Sequence, residues 1–430
     1  MSARGSDADE VHGRLLGRDS VHQWHPYTQH ALEPALLPVV GAQGAELELE
    51  DGRRVIDAVS SWWTSLHGHG EPALVRAMAE QAQRLDHVLF AGATHEAAVA
   101  LGEELLTVAP AGLRRIFYSD NGSTAVEVAL KMAFQRHVLE GAGQRRVFVA
   151  LEGSYHGDTF GAMSVGDPAP FFEPFRPLLF EVERVPAEAD RLLETLERLG
   201  ERAAGLIVEP LVQGAGGMRM HSEAFLREAR ALTRARGLPL IADEVMTGFG
   251  RTGELFACTR AGVEPDLMCL AKGLTGGLMP MAATLATEDY FQAFLAEDRA
   301  KAFFHGHSFT AHPIGCAVAR ASLRLALERD VPARLSAIGE RIEGRLRERL
   351  DRHARVRDLR RTGGIVAYDL GASDYGYLDG LTPKLRARAL ESGVLLRPLG
   401  NVVYAMPPAC VDDAQADRIA DAMAALADTD

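Results

Sequence analysis

The sequence is short of cysteine, of basic charge and of long apolar runs, and each shortage removes a class of function. Its four cysteines, Cys258, Cys269, Cys316 and Cys410, are scattered without C-x-x-C spacing. Neither a disulfide framework nor a zinc ribbon is indicated. Lysine and arginine (46) are outnumbered by aspartate and glutamate (59), for a formal net charge of −13. A nucleic-acid partner requires a basic face to displace counterions, and none is present. The basic stretch 355–361 alternates with apolar residues and reads as the edge of a solvated helix or strand. No run reaches the roughly 20 apolar residues needed to cross a bilayer. Residues 1–19 are polar and lack the apolar centre of a secretory leader. A cytoplasmic enzyme acting on small molecules, away from membranes and nucleic acid, is the expectation. Histidines cluster at His22/His25/His30, His67/His69 and His305/His307/His312. No acidic or cysteine ligands join them at helical spacing, so no metal site is expected.

What is present is an alternating α/β pattern. At 430 residues the chain is too long for one core, so more than one domain is expected. Residues 1 to about 20 read as a loose arm. The stretch 45–50 alternates before Asp51-Gly52, a hairpin-turn dipeptide. Helical stretches 72–84, 94–108 and 124–139 then alternate with apolar runs at 115–119, 146–151, 205–209, 238–243 and 266–270. Such continuous apolarity fits strands covered on both faces, a mostly parallel sheet in a large domain over 66–325. An amphipathic helix at 335–350 and strands at 364–370 and 402–406 follow. With the N-terminal residues 1–65, the tail 326–430 is expected to form a smaller α+β domain.

Three features carry chemistry. Ser119-Asp-Asn-Gly-Ser-Thr-Ala-Val-Glu127 joins a strand to a helix through a glycine turn, with Thr124-x-x-Glu127 read as a capping box. The free N–H groups at that helix start suit an anion, with hydroxyls from Ser123 and Thr124 beside them. An ordinary strand-to-helix turn has the same composition. Asp243 closes the apolar run 238–243, at the strand end where α/β sheets carry ligands. A buried carboxylate there needs a partner. A protonated pyridine nitrogen qualifies, as does a salt bridge or a helix cap. Lys272 ends a second strand ahead of a glycine-rich turn, where burial favours the neutral amine that attacks an aldehyde.

The order of these features, with Asp243-Glu-Val-x-Thr-Gly-Phe-Gly-Arg-Thr-Gly253 and Lys272-Gly, resembles the class III (ω-type) aminotransferases of pyridoxal-5′-phosphate (PLP) fold type I. The resemblance runs over nearly the whole chain. It implies a PLP cofactor attached to Lys272, a ring nitrogen paired with Asp243, a phosphate held by Gly122 and Ser123, and Tyr155 stacked on the ring. It also implies a homodimer whose shared sites each receive a hydroxyl from the other subunit, at the position of Ser308. Trp24-His-Pro-Tyr-Thr28, Ser60-Ser-Trp-Trp63, His87-Val-Leu-Phe90, the 155–164 segment, Gln213-Gly-Ala-Gly-Gly-Met-Arg219 and Leu396-Arg-Pro-Leu-Gly400 are similar to the biotin-pathway branch of that family. That branch aminates 8-amino-7-oxononanoate, a ketone on a fatty chain with a distal carboxylate. Tyr27, Trp62 and Trp63 are then expected to wall the alkyl chain and Arg397 to read the carboxylate. The His-Gly-His-Ser-Phe309 segment departs from the Pro-Thr-Phe of members that use S-adenosylmethionine as donor. It is similar to members that use lysine, so both donors stand. A broad ω-amino-acid or diamine aminotransferase shares Lys272 and Asp243 without needing the Trp pair. A non-catalytic PLP-binding regulator would need a basic DNA-binding module, which is missing.

Overall fold

The computed structural model describes residues 15–32, 36–167, 171–371 and 380–429. Its centre is a seven-stranded sheet ordered Leu113–Ser119, Ala282–Thr287, Leu267–Leu270, Leu240–Asp243, Ala203–Val208, Val147–Leu151, Val182–Val185. Only Ala282–Thr287 runs against its neighbours; the other strands are mutually parallel. Every residue of the two middle strands Leu240–Asp243 and Leu267–Leu270 is buried, as expected for a parallel sheet with helices on both faces.

All five apolar runs read from the sequence are strands of this sheet. Two further strands, one at the sheet edge and one inside it, escaped because their composition is unlike the apolar runs read as strands. Val182–Val185 carries Glu183 and Arg184 at the sheet edge. Ala282–Thr287 is mostly alanine and threonine, and alanine reads as helix. Its small side chains let helix α1 (Gly122–Leu139) lie close, and the Thr284 hydroxyl donates to the Ala125 carbonyl at 2.9 Å.

Helices fall close to their expected places, with Pro72–Arg84 opening on a proline whose missing N–H costs nothing there. Two boundaries move. The helix expected at 335–350 starts at Val331 and becomes α2 (Val331–Leu350), because Asp330 caps it by accepting from the Ala333 N–H at 3.4 Å. Residues 15–22, expected to be loose, are helical, with Leu15 and Leu16 half-buried; residues 1–14 lie outside the described residues.

The Asp51-Gly52 turn is present, with Gly52 at φ +83° and its N–H donating to the Leu49 carbonyl at 2.8 Å. It joins two strands of a sheet ordered Val39–Gln43, Glu46–Leu49, Arg54–Asp57 and, from the far end of the chain, Val394–Leu395. The last pair is parallel, with Leu395 opposite Asp57. That register sets the segment entering Trp62 beside the segment entering Arg397. A three-stranded antiparallel sheet, Val356–Thr362, Ile365–Leu370 and Val402–Ala405, packs with α2 and helix α3 (Asp413–Ala425). The basic stretch 355–361 forms its edge strand. No helix among the described residues is long and apolar enough to cross a membrane.

Candidate active site

The C-terminal ends of five strands of the large sheet converge on a cavity of about 580 Å³. Beyond those ends stand Gly122, Tyr155, Glu209, Asp243 and Lys272, all lining it. This is where open α/β sheets hold ligands.

Lys272 opens a 3₁₀ turn directly after Leu267–Leu270 and adopts φ +45°, an uncommon backbone for a residue with a side chain. Its amine lies 4.5 Å from the centre of the Trp63 ring. Burial pushes its pKa down to about 8, against the opposing pull of the Asp243 and Glu209 carboxylates. Near neutral pH roughly a tenth is therefore the nucleophilic free amine, far more than for an ordinary lysine.

Asp243 is 4 % exposed, the last residue of its strand. One carboxylate oxygen accepts from the Val245 N–H at 3.0 Å and the other meets His156 Nδ1 at 2.6 Å. The buried partner that this carboxylate required thus includes His156, which the sequence reading did not single out. The other ring nitrogen of His156, Nε2, is buried without a hydrogen-bond partner among the described residues.

The anion cradle differs from the expected capping box. Asn121, not Thr124, caps helix α1: its side chain accepts from the Thr124 N–H at 3.0 Å, and Thr124 Oγ1 accepts in return from the Asn121 N–H. Thr124 is thereby consumed in the cap and lies outside the cavity lining. Glu127 serves elsewhere, accepting from the Thr159 hydroxyl and the Gly161 N–H, both at 2.6 Å. Gly122 and Ser123 start the helix, where backbone N–H groups have no intrahelical acceptor. A Cβ on Gly122 would lie 2.6 Å from Val245, and one on Gly157 would lie 2.5 Å from Ser123. Both glycines are required for the backbone to close around this point. The Ser123 hydroxyl sits 2.7 Å from that of Thr159.

Tyr155 lines the cavity, and its hydroxyl meets Asp158 at 3.0 Å and the Tyr27 hydroxyl at 3.1 Å. Burial, with the Tyr27 and Asp158 contacts, raises the Tyr155 pKa and keeps the phenol neutral. Tyr27 also donates to Asp158 at 2.6 Å, so Asp158 anchors both phenols, a role missed from sequence. Glu209, also missed, accepts from the Tyr155 N–H at 3.0 Å and the Gly214 N–H at 2.8 Å. Burial raises its pKa to about 7.

The tryptophan pair does not form one wall. Trp63 lines the cavity at 3 % exposure and donates from Nε1 to the Tyr404 hydroxyl at 3.0 Å. Trp62 lies outside the cavity lining at 36 % exposure, with Tyr27 edge-on at 5.6 Å and the Arg397 guanidinium 3.9 Å above its ring. Residues Ser60 to Trp63 have φ of 49°, 44°, 68° and 72°. Left-handed backbone costs about 1–2 kcal/mol per residue with a side chain, so this turn is held against its own preference. Ser308 is exposed and does not line this cavity; Asp120, which does, lies 4.0 Å from the neighbouring His307. Of the histidine groups, His67 bonds Ser322, His69 bonds Asp57 and the His25 N–H donates to His30 Nε2.

The aminotransferase class-III family profile matches residues 27–426 of this arrangement. The chain belongs to the class-III aminotransferases. Among relatives of this class-III aminotransferase, adenosylmethionine-8-amino-7-oxononanoate aminotransferase from Synechococcus elongatus is 48% identical, over 95% of this chain and 98% of its own. The enzyme of that name from Geobacter sulfurreducens is 41% identical over 94% of this chain and 95% of its own. The crystal structure of the Methanocaldococcus jannaschii enzyme of that name superposes with a TM-score of 0.91 at 32% identity, covering 96% of this chain and 98% of its own. An amine transaminase from an uncultivated Pseudomonas species, in its PLP-bound form, gives 0.89 at 30% identity, covering 94% and 98%. The cofactor is PLP, and the fold is that of PLP-dependent transaminases. The residues fit the group: a helix start walled by obligatory glycines for an anion, a buried carboxylate for a protonated ring nitrogen, and a low-pKa amine for an aldehyde.

Proposed function

We propose that this aminotransferase converts 8-amino-7-oxononanoate to 7,8-diaminononanoate in biotin biosynthesis, with S-adenosylmethionine as amino donor. The observation that carries the reading is the Arg397 guanidinium carbon, 3.9 Å from the centre of the Trp62 ring, which Tyr27 joins to the cavity-lining Tyr155. A planar cation held over an indole suits a carboxylate at the far end of an apolar chain, remote from the reacting ketone. The names carried by relatives at 48% and 41% identity support the same substrate.

When bound, PLP supplies an electrophilic aldehyde and an electron-accepting ring. Lys272 would hold it, and its Nζ would serve as the base and acid that moves a proton at the substrate carbon. Asp243 keeps a proton on the ring nitrogen, and His156 orients Asp243. The N–H groups of Gly122 and Ser123 hold the phosphate, and Tyr155 fixes the ring plane. Trp63 closes the apolar side of the cavity, Tyr27 and Trp62 line its mouth, and Arg397 binds the acceptor carboxylate. Ser308 completes the phosphate site of the other subunit in a homodimer, which accounts for its exposure outside this cavity. The enzyme works in the cytoplasm. Among the described residues, those within 66–325 form the PLP-binding domain, and those within 15–65 and 326–429 form the N-terminal arm and the smaller domain.

The test is a donor screen with 8-amino-7-oxononanoate, comparing S-adenosylmethionine, lysine and simple ω-amines and detecting the diamine by mass spectrometry. Diamine formed from S-adenosylmethionine is the expected result. Diamine formed only from lysine would overturn the donor. Turnover of ω-amines with pyruvate, and none of the keto acid, would overturn the acceptor.

A further inference from the structure

The strained turn at Ser60–Trp63 is built around a residue outside the reacting centre. Asp57 is 0 % exposed, yet its carboxylate gathers a full set of donors. Oδ1 accepts from the Ser61 N–H at 2.9 Å, and Oδ2 accepts from the Ser61 hydroxyl at 2.7 Å and meets His69 Nε2 at 2.9 Å. Burial alone would raise this carboxyl, but the bonds from His69 and Ser61 outweigh it and hold the pKa below its ordinary value. Ser61, the residue it grips, sits at φ 44°, ψ 58° inside the left-handed turn. The turn then closes on itself, with the Trp63 N–H donating to the Val59 carbonyl at 2.8 Å and the Thr64 N–H to the Ser60 carbonyl at 2.9 Å.

The consequence is directional. A left-handed turn sends consecutive indoles to different places. Trp63 goes inward, to Tyr404 and the Lys272 amine, and Trp62 goes to the mouth under Arg397. The far side of the turn packs on the loop that follows Lys272: a Cβ on Gly277 would lie 2.9 Å from the backbone of Thr64 and Ser65. Asp57 is also paired with Leu395, two residues before Arg397, so one residue fixes both members of the Trp62–Arg397 stack.

We propose that Asp57 is a positioning residue for acceptor recognition, setting the Trp62 platform on which Arg397 rests. The inference deepens the reading of Arg397 and Trp62 given above and rests on it. Asp57 touches no reacting atom. Its loss lets the turn relax toward right-handed backbone and moves the platform, leaving the Lys272–Asp243 centre in place.

The experiment is a double-mutant cycle on the PLP-loaded enzyme, with Asp57→Asn, Trp62→Ala and the pair, read as KM for the keto-acid acceptor against kcat at saturation. Asp57→Asn is expected to raise the acceptor KM tenfold or more while kcat stays within threefold. In the Trp62→Ala background it should add less than twofold, because the platform is already gone. Ser61→Ala, which removes one bond to the carboxylate, is a milder second variant expected to raise KM severalfold and to show the same loss of effect without Trp62. It decides the matter if Asp57→Asn does not fold. An unchanged acceptor KM, or an equal penalty with and without Trp62, overturns the proposal. Near-UV circular dichroism of the indoles separates this from failure of the proposed function. If wild type does not turn over the keto acid, the substrate reading fails. The turn is then judged alone: the indole signal must change in Asp57→Asn or Ser61→Ala, and an unchanged signal overturns it.

Discussion

Lys272 offers a prediction whose size follows from its surroundings. Burial brings its pKa from 10.5 to about 8, with Asp243 and Glu209 resisting. At pH 7 the free-amine fraction is then roughly one in ten, about 300 times that of an unperturbed lysine. Cofactor-free enzyme mixed with PLP in a stopped-flow spectrometer should attach it at a rate that climbs with pH and levels off above about 8. Asp243→Asn removes a charge that props the ammonium up, so its midpoint should fall below that of wild type. Stability follows the same shift with a definite sign. The folded pKa lies below the unfolded one, so between them the unfolded chain binds more protons, and stability rises with pH across about 8 to 10.5. Below 8 the buried ammonium costs up to about 3 kcal/mol. Cofactor-free Lys272→Met should accordingly be the more stable protein at pH 7, with an advantage that shrinks toward pH 10. An attachment midpoint near 10.5, or an upward shift in Asp243→Asn, would refute the argument.

Asp243→Asn should also cut transamination by roughly 10²-fold or more, the scale of one lost electrostatic contact at a reacting ring; a near-normal rate would make Asp243 structural. Wild type should discriminate strongly between the keto acid and its methyl ester, and Arg397→Ala should weaken the acceptor half-reaction by a few kcal/mol and lose that discrimination. Mixing Lys272→Ala with a Ser308 variant that is itself severely impaired should restore part of the activity through hybrid dimers, provided that subunits exchange. With both conditions met, no restoration would count against the shared site.

Much of this centre was legible because its chemistry sits at strand ends, where apolar runs stop at a charged residue. Asp243 and Lys272 both follow that rule. Lys272 also stands out in a sequence whose only other lysines are Lys131, Lys301 and Lys384. Glu209 obeys it as well, closing the run 205–209, and the same signal applied evenly would have found it. His156 was harder, because it reaches Asp243 across 87 positions of chain. Its one clue was that a buried strand-end carboxylate needs a partner. The capping pattern Thr124-x-x-Glu127 misled because a better N-cap, Asn121, precedes it and takes Thr124 into its own cap. The left-handed turn at Ser60–Trp63 leaves no trace in composition, since serine and tryptophan have no preference for such backbone and only Asp57 and the tertiary contacts impose it. Ala282–Thr287 was hidden for the converse reason: alanine's helix propensity is overridden by the need for a thin strand beneath α1.

The account turns on Lys272 carrying the cofactor, and one measurement addresses this directly. Purified enzyme loaded with PLP is treated with borohydride, digested and mapped by mass spectrometry. The cofactor mass should appear on the peptide containing Lys272, and Lys272→Ala should show neither the label nor transamination. Label on Lys131, Lys301 or Lys384 in wild type, or normal turnover by Lys272→Ala, would contradict it.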